Sequence, residues 1–148
     1  MLDQFIHPTG PHIFSIGYEK RTLSDFLTIL QKNHIKRILD VRRYPCSKYA
    51  WATYPELKMI LNQNNIDYLH FREFSPSLAC RRKFQATKDW NGFSKEFKAY
   101  LGSIKPAVEV WGKNVQDGDC LLCLEQNDRQ CHRSLLYPYI PYSIILLL

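Results

Sequence analysis

Long apolar runs are missing from this chain. The one at its end, 144–148, holds five residues, where about 20 are needed to cross a bilayer, so no membrane partner is expected. Framework cysteines are missing too. Cys46, Cys80, Cys120, Cys123 and Cys131 are odd in number and irregularly spaced, which excludes a disulfide scaffold and favours reduced thiols. The N-terminal stretch MLDQFIHPTGPHIF has neither a basic leader nor a long apolar segment, so a cytoplasmic protein is expected. Six glycines and eight prolines are too few for a low-complexity chain. Acid is also scarce: 14 Asp and Glu stand against 20 Lys and Arg, a formal charge of +6 that favours an anionic partner.

What remains is an ordinary globular mixture, 45% hydrophobic and 23% charged over 148 residues, enough for one domain spanning 1–148. Short apolar runs at 12–16, 37–41, 67–71 and 119–124 read as strands. Between them, Leu23, Phe26, Leu27 and Leu30 repeat at helical spacing behind Thr22 and Asp25, a capped start. A second helix follows Pro55, and a third runs from Phe93 to Trp111; 72–90 shows no periodicity and reads as a long loop. A last helix starts near Cys131 and is cut short by Pro138 and Pro141.

Alternating strands and helices predict a three-layer α/β/α fold, with a mostly parallel sheet of four to five strands and right-handed crossovers. In such sheets the ligand site lies beyond the carboxyl ends of the strands. Loops 17–22, 42–54, 72–90 and 125–131 should therefore share one rim.

The segments 15–22 (SIGYEKRT), 39–48 (LDVRRYPCSK), 122–125 (LCLE) and 131–134 (CHRS) resemble the signature blocks of the domain-of-unknown-function 488 family. The resemblance covers most of 12–136 and implies a small cytoplasmic α/β protein with no established biochemical role. Two departures stand out: 73–77 (EFSPS) lacks a Gly-Gly type turn, and the tail 137–148 is atypical.

Twelve of the 20 basic residues fall in or beside the rim loops: Lys20, Arg21, Arg42, Arg43, Lys48, Arg72, Arg81, Arg82, Lys83, Lys88, Arg129 and Arg133. Interleaved aromatics there point to DNA, RNA or a nucleotide as the anionic ligand. Arg42, Arg43, Lys48 and Arg133 are the expected phosphate contacts, with Tyr18, Tyr49 and Trp51 as stacking or wall residues. Asp40, Glu125 and His132 are the acid–base candidates of an enzyme, and Cys131 its nucleophile. Packed loops and structural Asp–Arg or Glu–Arg ties would account for the same residues without any ligand.

Three chemistries compete at the Cys-His-Arg block. Unpaired N–H groups at the start of the last helix would seat an anion beside His132 and Arg133. A thiol enzyme of rhodanese or phosphatase type would use Cys131 or Cys123, although Glu125 and Asp128 would repel phosphate from a loop between Cys123 and Arg129. Zinc would need Cys123, Cys131, His132 and an outside ligand, because Cys120 and Cys123, three apart on a strand, face opposite sides. No metal or cofactor is expected on this reading. An interaction subunit whose rim meets an acidic protein is the remaining alternative.

Overall fold

The structure is a computed structural model that describes residues 12–148. Residues 1–11, most of the stretch read above for a leader, lie outside it. Five strands form one parallel sheet among the described residues: β1 (His12–Gly17), β2 (Arg37–Asp40), β3 (Asp67–His70), β4 (Asp119–Cys123) and β5 (Ser143–Leu147), in the order β3-β2-β4-β1-β5. The interior strands β1, β2 and β4 are buried on both faces and largely apolar, as a parallel sheet covered on both sides demands.

Side-chain alternation splits the core in two. Phe14, Ile16, Ile38, Cys120 and Leu122 face α1 (Leu23–Lys32) and α2 (Glu56–Gln63), which bury Phe26, Leu30, Leu57 and Leu61. Ile13, Leu39 and Leu121 face the other layer, built by α3 (Leu78–Thr87), α4 (Trp90–Ser103), α5 (Lys105–Asn114) and α6 (Arg133–Leu136). The predicted cap of α1 forms, Thr22 Oγ1 accepting from the Asp25 N–H at 3.1 Å.

Two expectations need correction. The supposed loop 72–90 contains α3, whose start Ser77 caps by accepting from the Cys80 N–H. The single helix expected from Phe93 to Trp111 is two, broken at Ile104, with Pro106 in the first turn of α5 where its missing N–H costs nothing. The tail is rebuilt as well. After α6 it returns as edge strand β5, held along β1 and tied by Arg21, whose guanidinium donates to Gly17 O and Leu147 O. None of the described helices is long and apolar enough to cross a membrane.

Candidate functional site

Parallel strands end together, and the ends of β1, β2 and β4, with α3, surround a cleft of about 620 Å³. Its wall draws on all four predicted rim loops: Tyr18 after β1, Arg42 and Arg43 after β2, Arg81 to Lys88 of α3, and Glu125 to His132 after β4. Gly17 makes the junction of two of these loops. A Cβ there would stand 1.8 Å from the carbonyl oxygen of Glu125, so only glycine lets the backbones approach this closely.

One wall is built on Asp40. Its carboxylate is fully buried and accepts two bonds from the Arg42 guanidinium, at 2.9 and 2.7 Å, besides the Arg42 N–H and the Tyr68 hydroxyl. Arg42 also donates to Ala52 O and lies 5.1 Å over the Tyr18 ring. Burial opposes the Arg42 charge, but the hydrogen bonds and charge of Asp40 outweigh it and raise the pKa. This is a buried, bidentate pair in which both groups are spoken for. Burial and the adjacent carboxylate push the Tyr68 hydroxyl up.

The floor is the end of β4 and the turn into α6. Cys123, Cys131 and His132 are all buried, and their sulfur and nitrogen ligand atoms lie within 4.8 Å of one another. His132 Nε2 is 2.7 Å from the carbonyl oxygen of Val41. A carbonyl only accepts, so Nε2 carries a proton, and Nδ1 faces Cys123 Sγ, 3.9 Å away. Phe97 fixes the ring from the side, edge to face at 5.7 Å.

Arg133 runs beneath this floor, fully buried. It donates to Cys131 Sγ at 3.3 Å, Ser15 Oγ at 3.0 Å and the Glu125 carbonyl. Burial alone would raise the Cys131 thiol, but the Cys123 hydrogen bond, His132 and Arg133 bring it well below the ordinary thiol range. Cys123, hydrogen-bonded to that sulfur and buried, is pushed up. Burial first, then the Cys131 charge, also raises the Glu125 carboxyl.

Of the expected site residues, the structure brings Tyr18, Arg42, Arg43, Glu125, Cys131 and His132 to the cleft. Three expectations are corrected. Asp40 and Arg133 do not line the cleft as expected: both are buried behind the wall with their polar atoms engaged within the protein. Lys48, Tyr49 and Trp51 are absent from the lining: Lys48 covers the Tyr49 ring, while Tyr49 and Trp51 pack on Tyr18 and the core beneath α1. The helix after Cys131 has four residues, too short to seat an anion on its N-terminus.

Sequence reasoning missed Phe84, Gln85 and Phe93 as wall residues, and read Arg81 and Lys88 only as rim cations. Ser77 ahead of Cys80, a helix cap, was the signal that would have placed Phe84 and Gln85; Phe93 lies on α4, capped by Asp89.

Arg43, Arg81, Lys88 and Arg129 all line the cleft, and among the described residues none of them pairs with a carboxylate. Two polar atoms in the wall, Arg43 Nε and Glu125 Oε2, are buried without a hydrogen-bond partner. Such atoms are costly to leave bare.

The model of a family described as Domain of unknown function DUF488 matches residues 22–140 of this chain. No curated protein and no solved structure matches it.

Proposed function

The chain belongs to the DUF488 family, whose description carries no activity, and from the geometry we propose that it binds a phosphate-bearing ligand of nucleotide size in the cleft. The observation that carries this reading is the set of four carboxylate-free cations around one concavity, Arg43, Arg81, Lys88 and Arg129. Guanidinium groups take phosphate oxygens two at a time, and a low-dielectric wall strengthens the attraction. The cleft, about 620 Å³, falls within the range of small-ligand pockets. Trp51 and Tyr49, half-buried against Tyr18 and the core, do not line the cleft, and a site confined to the cleft suits a nucleotide better than a nucleic-acid strand. Tyr44 and Phe84 remain in the lining for a base to rest on.

Calorimetric titration with a nucleoside triphosphate and with its unphosphorylated nucleoside tests this. The triphosphate is expected to bind at least about tenfold more tightly, and Arg81→Ala with Lys88→Ala to weaken it about tenfold or more. Equal affinity for the nucleoside, or no loss in the double variant, contradicts the proposal. Tight binding of an oligonucleotide alone, with a steep salt slope, would instead favour a polymer.

A second reading is favoured by one contact, Arg133 Nε at 3.3 Å from Cys131 Sγ. A guanidinium so placed supports a thiolate, and Cys131 would then be the reactive thiol of an enzyme. Iodoacetamide should alkylate Cys131 of the metal-free protein readily, and the bound nucleotide should block it; an inert Cys131 removes this reading.

A further inference from the structure

The three buried side chains at the cleft floor have the geometry of a metal centre. Thiolate–zinc bonds of about 2.3 Å and imidazole–zinc bonds of about 2.0–2.1 Å put the edges of a tetrahedral site at about 3.6 Å for S···N and 3.8 Å for S···S. Cys123 Sγ and His132 Nδ1 stand 3.9 Å apart, and all three ligand atoms, Cys131 Sγ included, fall within 4.8 Å. That spacing is long for a thiol–imidazole hydrogen bond and a few tenths of an ångström from a shared ion.

The surroundings supply what a thiolate–imidazole site requires. His132 turns Nδ1 toward the two sulfurs, because Nε2 donates to Val41 O at 2.7 Å, and Nδ1 is thus the nitrogen left to ligate an ion. Bonds of this kind fix the tautomer and ring orientation of metal-ligating histidines. Arg133 Nε points at Cys131 Sγ, an N–H···S contact that spreads the charge of a ligating thiolate. Two thiolates offset the charge of a divalent cation at a buried position.

We propose that Cys123, Cys131 and His132 bind a zinc-class divalent ion whose fourth position opens into the cleft. All three residues line the cleft, and so does Glu125, whose buried Oε2 has no partner. Three protein ligands with one open position is the arrangement of catalytic rather than structural zinc. A water at that position would stand beside the Glu125 carboxylate. The proposal is independent of the nucleotide reading, since ion binding is read without any phosphate ligand. It excludes a free nucleophilic Cys131, because the same sulfur cannot be both.

Cobalt(II) titration of the reduced, full-length chain in metal-free buffer reads the site optically. One equivalent should give the thiolate-to-cobalt charge-transfer absorption and the intense visible bands of a tetrahedral centre, and zinc should displace it. Cys123→Ser and Cys131→Ser should each weaken binding at least about tenfold, while Cys46→Ser leaves it unchanged. Should either serine variant fail to fold, the wild-type chain still decides. Zinc should protect Cys123 and Cys131, but not Cys46, from iodoacetamide as read by mass spectrometry. Azide should shift the visible cobalt bands. A folded chain without the cobalt spectrum, a spectrum surviving both serine variants, or alkylation indifferent to zinc overturns the proposal; a spectrum indifferent to azide overturns its open position.

Discussion

Asp40 ties the rim together, because four donors converge on one buried carboxylate. Removing it leaves the Arg42 guanidinium charged and unpaired at 5% exposure. Asp40→Ala should therefore destabilise the fold by about 3–5 kcal/mol, measured by urea denaturation. The neighbouring Tyr68 carries a pH signature. Burial, then the Asp40 charge, raises its hydroxyl pKa in the folded chain. Above about pH 10 the unfolded chain has lost this proton and the native one keeps it, so stability falls by about 1.4 kcal/mol per pH unit. Tyr68→Phe should lower stability at neutral pH by about 1.5–3 kcal/mol, through the lost bond to a charged group, and should flatten the alkaline slope by that one proton. The Asp40–Arg42 pairing was legible beforehand, since alternation put both on one face of a strand end. The burial of Arg133 was not. An arginine that reaches Ser15 across 118 positions of sequence is placed by the fold, and nothing in its neighbours announces it.

Helix α3 shows how an element escapes pattern reading. Only Cys80 is fully buried along Leu78–Thr87, so no apolar stripe marks it, and its inner face is polar because it lines a cleft. By contrast α1, packed on the sheet, carries its stripe openly. The last residue of the α3 cap, Lys88, sits in the left-handed region at φ +57°, where a side chain is strained and glycine is not. Lys88→Gly should leave the fold as stable or up to about 1 kcal/mol more stable, read by thermal melting. The same variant should bind the nucleoside triphosphate more weakly. A residue that loses stability in its place while lining the cleft fits a role in binding; a Lys88→Gly protein with undiminished affinity would remove Lys88 from the site.

At the scale of the molecule, strand direction decides the location of everything else. All five strands run parallel, so four loops meet at one edge, and the alternation of strands and helices was sufficient to foresee that edge. Which rim residues face inward was beyond it. Tyr49 and Trp51, half-buried, pack against the core instead of lining the cleft, and the rim cation Arg21 is used to hold β5. The final strand was legible only as an apolar tail, since pairing with β1 joins segments at opposite ends of the chain. The most direct test of the cleft is a crystal of the full chain soaked in pyrophosphate. Density for the anion is predicted against Arg43 and Arg81, within reach of Lys88 and Arg129. Pyrophosphate bound only on outer surfaces, with this cleft empty of it, would contradict the assignment of a phosphate-bearing ligand.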